Sequence, residues 1–370
     1  MSAPERVLVA ARGGVASRLL QFYRSAGIET VAAFTMAHAE APWLDEADFD
    51  AFVPGEDAED PLAVPEKVVA AAMDAGCDAL HPGVGSLAGS VGLYDVATRA
   101  NLGVVGAPAE GILDLVDRPR LFARARALGV PVLPASESLS VTDDGIEAAA
   151  QLALPVCVQA AQGAAQQRVD AFGDLGAAVA AVRAAARRET GDASVFLRRA
   201  VGAGRRVRTT VVGDRHGARV HLGHVWEAGS VDEAGGGVPG RMYERLGALS
   251  LSLANAVGWV GVGSVCWFVA EDDSPWLLGF LPRLTEGFAL IEAVQGVDLI
   301  ETQYQVAMGG RLDWSQPMRV TDRHGMQLRG EPAHTMDPLT AVAATREEAL
   351  ERLRVTAAAA GISDIDALLA

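Results

Sequence analysis

Eleven residues, RRAVGAGRRVR (198–208), carry five arginines in a chain whose formal net charge is −16. Guanidiniums gathered in this way suit an anion, because their planar forks match carboxylate and phosphate oxygens in pairs. Arg205, Arg206 and Arg208 are the candidate anion site; a solvated strand surface is the plainer alternative. Upstream, PVCVQAAQGAAQQRV (155–169) passes from an apolar run into small and amide residues. A loop in that position could cradle phosphate on backbone N–H groups, but this needs bare backbone, and Gly163 is its single glycine. A compact ammonium for phosphate is also scarce. Of 31 basic residues, only Lys67 is a lysine. It lies in PEKVVAAAMDAG, a helical pattern in which lysine is ordinarily solvated.

Other clusters point less sharply to chemistry. His221 and His224, in HLGH, resemble a ligand pair. On a strand, residues three apart point to opposite faces, so the spacing predicts two separate histidines. Glu271, Asp272 and Asp273 precede Ser274 and Pro275, which predicts a solvated hairpin turn rather than a metal cluster. Cys77, Cys157 and Cys266 show no metal or disulfide spacing, which fits a reducing cytoplasm. The negative balance argues against a nucleic-acid partner. No apolar run approaches the ~20 residues of a membrane helix. The N-terminal residues lack a signal-peptide layout and lead directly into a strand pattern.

The elements that would position these residues follow from periodicity. RVLVAA, ETVAAF, CDALHPG and VVGAP read as strands alternating with helical segments over residues 1–112, which predicts a parallel, doubly wound sheet. ILDLVDRPRLFARARALGVP and TDDGIEAAAQLALP continue as helices. From Val156 the order becomes strand, loop, strand, helix, strand, strand, as a small nucleotide-clamping α+β lobe would show. GVGSVCWFVAEDDSPWLLGFL reads as a hairpin, and VDEAGGGVPG as a flexible stretch. IEAVQGVDLIETQYQVAMGG and TREEALERLRVTAAAAGI are helical.

VLVAARGGVASRLL (7–20), ALHPGVGSLAGS (79–90), VVGAPAEGILDLVDRPRLFARARALGVPVLP (104–134) and GVDLIETQYQVAMGG (296–310) occur in a specific order and spacing. Through them the chain resembles the biotin carboxylase component of biotin-dependent acyl-CoA and pyruvate carboxylases, of the ATP-grasp superfamily. The resemblance implies an ATP-grasp fold of biotin carboxylase type. Its parts would be an N-terminal α/β domain (1–112), an ATP-grasp region (113–310, central lobe about 133–200) and a shortened C-terminal region (311–370).

The resemblance also implies where the reaction's residues should stand. The Gly-rich phosphate loop falls on residues 160–169. The first ATP lysine falls on Arg118 and the second on Gln159. The pair that contacts adenine falls on Arg198 and Arg199, and a His-x-Glu on Arg206 and Arg208. The Arg-rich bicarbonate and phosphate loop becomes GHVWEAGSVDEAGGGVP. Metal positions fall on Cys266, Gly279 and Leu281, none of which offers a hard oxygen. The base falls near Gly287, with Glu286 adjacent. Arg283 alone matches, as the arginine that stabilises the biotin enolate.

These departures imply a catalytically inactive subunit with ATP and Mg²⁺ lost and no biotin attachment site. It would have a structural or regulatory role in an acyl-CoA carboxylase type complex. Its partners would be an active biotin carboxylase, a biotin carrier or a carboxyltransferase subunit, and it would form a homo- or heterodimer. Two alternatives stay open: a rewired ATP-dependent ligase, and a non-catalytic module that binds a nucleotide or acyl-CoA. On the silent reading, the loop at 160–169 should be ordered without nucleotide, or shortened and packed against the lobe, with no ATP-shaped space beneath it.

Overall fold

The computed structural model describes residues 3–55, 60–228, 230–235, 240–285, 287–314, 323–328, 339–360 and 362. The chain forms two units: Met1–Ile112, Arg208–Ser264 and Pro282–Ala370 in the first, and Leu113–Val207 with Val265–Leu281 in the second.

The first unit opens with β1 (Arg6–Val9), α1 (Gly13–Ser25), β2 (Glu29–Phe34), β3 (Phe49–Phe52), α2 (Pro65–Asp74), β4 (Ala79–His81), α3 (Val91–Arg99) and β5 (Gly103–Val104). The sheet order is β3-β2-β1-β4-β5, with every pairing parallel. Val7, Leu8 and Val9 are buried, and α1 turns Leu19, Leu20 and Tyr23 inward, so the strand and helix periods meet in one core. Gly13 opens α1 at φ 56°, a left-handed conformation that favours glycine. The β3 edge strand, with Phe49 and Phe52 exposed, has a weak pattern in sequence and was not anticipated.

The chain continues through α4 (Ala109–Val116), α5 (Arg118–Ala127), α6 (Ile146–Leu152), β6 (Val156–Ala160), β7 (Gln166–Val169), α7 (Leu175–Thr190) and β8 (Val195–Arg199). Strands β7, β6 and β8 make an antiparallel sheet with β6 at its centre. Val156, Val158 and Ala160 of β6, with Val195 and Leu197 of β8, pack on Ala178, Val179 and Val182 of α7. Burying each larger side chain contributes roughly 1.5–3 kcal/mol. Strand alternation then puts Cys157, Gln159, Arg168 and Arg198 on the opposite face, where Cys157 is opposed by Arg168 and by Arg198.

The remaining elements are β9 (Gly204–Gly213), β10 (Arg219–Ala228), β11 (Val231–Gly235), α8 (Gly240–Ala256), β12 (Gly261–Ala270), β13 (Pro275–Leu281), α9 (Phe288–Gln295), α10 (Leu299–Ala307), β14 (His324–Leu328), β15 (Thr340–Ala343) and α11 (Arg346–Ala359). In the first unit β10, β11, β14 and β15 pair antiparallel in that order. The expectation of a flexible stretch at VDEAGGGVPG is corrected here. Val231–Gly235 is an internal strand, with Val231 opposite both Ala228 and Leu328. Its valine and alanine face a core while its carboxylates are held by arginines, a pattern that glycine content concealed. Residues 236–239 lie outside those described.

Candidate functional site

On the polar face of the small sheet, Arg198 is 5% exposed. Its Nε donates to Gln159 Oε1 at 2.8 Å, its Nη1 to Arg199 O at 3.2 Å and its Nη2 to Gln166 Oε1 at 3.3 Å. Gln159, where the resemblance expects a cation, is thus contacted by a guanidinium of the neighbouring strand. Arg118 stands at the first turn of α5, which Asp117 caps through the Arg120 amide at 3.1 Å. Its Nη1 donates to Ala160 O at 3.2 Å, and its own amide donates to Ala161 O at 3.0 Å. Among the described residues neither guanidinium has a carboxylate within 4.0 Å, the ion-pair limit. Burial holds Arg118 below the ordinary guanidinium value; Cys266 and Glu189 act against that and Arg198 acts with it. Burial lowers Arg198 as well, with Cys157 opposing and Arg206 reinforcing. Burial raises the Cys157 thiol, although Arg198, Arg206 and Arg118 all favour its thiolate. Gly279 is buried, and a side-chain carbon there would stand 3.8 Å from Arg118 Nε. Arg199, Arg205 and Arg206 are exposed in this unit.

The loop between β6 and β7 is a closed turn. Ala160 N donates to Ala165 O at 2.9 Å, and Gly163 takes φ 80°. Ala164 N donates to both carboxylate oxygens of Glu189, each at 2.9 Å. A Cβ at Gly163 would stand 2.6 Å from Glu189 Oε2, and its φ of 80° lies in the left-handed region that favours glycine. An amide that could meet a phosphate oxygen instead meets a carboxylate of the same chain.

Arg208 corrects the expectation of a continuous arginine island. It lies in the first unit, where Nη1 meets Glu227 Oε1 at 3.0 Å and Nη2 meets Asp232 Oδ2 at 2.5 Å. Its charge is spent inside the fold. A side-chain carbon at Gly287 would stand 3.0 Å from Arg208 Nη2 and 3.4 Å from Asp232 Oδ2, so this ion pair occupies the space beside the position expected for the base. Glu286 lies outside the described residues. Arg283 donates to the carbonyls of Val84 and Leu284, and its Cδ is 3.8 Å from where a Cβ at Gly89 would stand. Lys67 lies on α2 of the first unit.

The two histidines are also corrected. His221 and His224 stack with ring centroids 5.7 Å apart and planes 17° apart. Gly223 between them has φ 104°, which breaks the two-residue alternation that the opposite-face expectation assumed. His224 Nδ1 pairs with Thr209 Oγ1 at 2.8 Å and Nε2 with Tyr243 O at 2.9 Å, and burial pushes it down to about 3. These bonds make it a packed structural histidine. Asp272 accepts from Ser274 N at 3.0 Å in the turn between β12 and β13, where Glu271, Asp272 and Asp273 are all exposed.

Residues 3–112 match the family model for the biotin carboxylase N-terminal domain, and residues 117–315 match the carbamoyl-phosphate synthase L chain ATP-binding domain. The chain belongs to the biotin carboxylase family. A biotin carboxylase of Halalkalibacterium halodurans is 27% identical over 91% of this chain and 76% of its own length. The methylcrotonoyl-CoA carboxylase alpha subunit of rat mitochondria is 24% identical over 88% of this chain and 47% of its own. The crystal structure of a biotin carboxylase–β,γ-ATP complex from Campylobacter jejuni superposes with a TM-score of 0.79 at 23% identity, covering 90% of this chain and 78% of that one. The fold is thus the ATP-grasp fold of biotin carboxylases. Within this family the places expected for metal ligands hold a half-buried thiol at Cys266, a bare backbone at Gly279 and an alkyl chain at Leu281. These residues do not fit Mg²⁺, which takes hard oxygen donors in octahedral array. Among the described residues no group of three or more His, Cys, Asp or Glu side chains is arranged to hold a metal ion.

Proposed function

We propose that this biotin-carboxylase-like protein is catalytically silent and serves a structural or regulatory role in a biotin-dependent acyl-CoA carboxylase type complex. The observation that supports this most is the donor set of the second unit. Cys266, Gly279 and Leu281 stand where the resemblance expects the ligands of Mg²⁺ and would offer it no oxygen side chain, and a side-chain carbon at Gly279 would meet Arg118 at 3.8 Å. Phosphoryl transfer without that ion lacks several kcal/mol of charge stabilisation. The Arg208–Asp232 pair, standing beside Gly287, is a second obstacle, because it fills the space beside the expected base.

Partners are proposed by analogy with relatives that are named as carboxylase subunits, such as the methylcrotonoyl-CoA carboxylase alpha subunit. Candidates are an active biotin carboxylase, a biotin carrier or a carboxyltransferase subunit. We place the protein in the cytoplasm, in keeping with three free thiols, and no helix among the described residues is long and apolar enough to cross a membrane. The purified chain, given Mg·ATP, bicarbonate and free biotin, should release no ADP above the no-enzyme rate. Biotin-dependent ADP release would overturn the proposal. Purification from its native source should bring down a biotinylated or carboxyltransferase polypeptide, and isolation as a lone chain would remove the assembly role. The alternative of a non-catalytic anion-binding module is favoured by one observation, the uncompensated charge at Arg118 and Arg198.

A further inference from the structure

In the order β3-β2-β1-β4-β5, strand β3 pairs with β2 and leaves its other side open. Val53 N donates to Phe34 O at 2.8 Å. Alternation therefore turns the backbone groups of residues 49, 51 and 53 toward β2 and those of Asp50 and Phe52 outward. Among the described residues nothing bonds to these outward groups. The register places Phe49 opposite Val31 and Phe52 opposite Phe34, so the two rings lie on opposite faces of the edge. Phe49 is 48% exposed, with the guanidinium carbon of Arg6 4.6 Å from its ring centroid. Phe52 is 44% exposed, meets Phe34 with centroids 5.5 Å apart, and shares its face with the exposed Asp50. An open edge that carries large apolar side chains is a template for another strand.

Charge selects the occupant. Residues 40–60 hold nine carboxylates and no arginine or lysine. Asp60 is paired with Arg12, whereas Glu40, Asp45, Asp48 and Asp50 are exposed and have no ion pair among the described residues. Lys67 Nζ, 3.3 Å from where a Cβ at Gly55 would stand, is a single opposing charge near the end of the strand. A second copy of this chain would bring the same carboxylates to the same edge and be repelled. A cationic strand would be attracted.

We propose that β3 is a docking edge for a basic, extended segment of another polypeptide, which adds to the five-stranded sheet as a further strand. Its backbone meets the outward amides and carbonyls of Asp50 and Phe52. Its side chains alternate: an arginine on the face of Asp50 and Phe52 finds a carboxylate and an aromatic ring, and an apolar residue on the other face covers Phe49. The surface goes beyond the silent reading and does not depend on it, since none of the residues expected for ATP or metal takes part.

The test uses the full chain and one probe, a fluorescein-labelled nine-residue peptide of alternating valine and arginine, followed by anisotropy. The peptide should bind saturably and more weakly as salt rises. The same peptide N-methylated along its backbone keeps every charge and side chain but has no N–H to donate. It should bind at least about tenfold more weakly, as expected for losing ladder hydrogen bonds. Asp50→Lys should weaken binding about tenfold, since like charges then meet across the edge. Asp95→Lys, the same change at an exposed residue of α3, should alter it less than about twofold, because salt screens a distant charge. Asp50→Pro should bind more weakly than Asp50→Asn, because only the proline removes the outward amide. Melting of each variant confirms that it folds. Absence of saturable binding, equal binding of the N-methylated peptide, or equal losses from Asp50→Lys and Asp95→Lys would each overturn the proposal. Sedimentation of the chain alone tests the other occupant. Self-association that Phe52→Ser abolishes would give the edge to a second copy and overturn the proposal; a chain that stays unassociated through this edge supports it.

Discussion

Two arginines of the first unit and two of the second have partners of opposite kinds. In the first, Arg208 is clamped by Glu227 and Asp232, and Arg18 by Glu292. In the second, Arg118 and Arg198 are surrounded by carbonyls, amides and thiols. A charge neutralised within the fold is a structural strut. A charge without a counter-charge is held by dipoles alone. Retention of an arginine therefore says little by itself, and the identity of its partners says much.

The largest effect that tests this contrast should come from cutting a clamp. Asp232→Ala removes a buried carboxylate from Arg208, and should lower the unfolding free energy by about 3–5 kcal/mol in urea titrations. A loss below about 1 kcal/mol would place Arg208 with the uncompensated group. Acid should act next. His224 is held at about 3 and His81 at about 4, both chiefly by burial, against an ordinary value near 6.5. The unfolded chain then binds the extra protons, so stability falls as pH drops below 6.5 toward those values. Each histidine should contribute about 1.4 kcal/mol per pH unit in that window. His224→Asn should flatten the dependence of stability on pH between 6 and 5. An unchanged slope would mean that His224 is solvated.

A smaller loss, about 1 kcal/mol, is expected for Glu189→Ala, which deprives Ala164 N of a partner near the surface. Its clearer readout is faster hydrogen exchange at Ala164, partly restored by Glu189→Gln. The smallest change in stability is expected at Arg198→Met, in phosphate-free buffer. The comparison requires it to be neutral or stabilising, because a charge without a counter-charge is being removed. A loss as large as that of Asp232→Ala would erase the distinction between the units.

Much of the fold was legible in sequence because hydrophobic period carries it. Val7–Val9, Leu19, Leu20 and the valines of β6 and β8 sit where their spacing puts them. The edge strand at Phe49–Phe52 was not legible, since a half-exposed edge shows no clear alternation. Strand β11 was hidden by the glycines that follow it, and the stacking of His221 on His224 by one positive φ at Gly223. At the candidate site the sequence offered single departures from the family pattern, at Arg118, Gln159, Cys266 and Gly279. Their compensation was not legible. That Arg198 serves Gln159, or that Asp232 holds Arg208, depends on cross-strand register and tertiary approach, which no local spacing encodes.

Glu189 carries a last consequence. A carboxylate anchored on the helix that packs beneath the loop is a tethered ligand, present at an effective concentration that a free solute matches only in the millimolar range or above. It competes with any dissolved anion for the Ala164 amide and does not diffuse away. The turn is thus closed by a group of its own chain rather than by a solute.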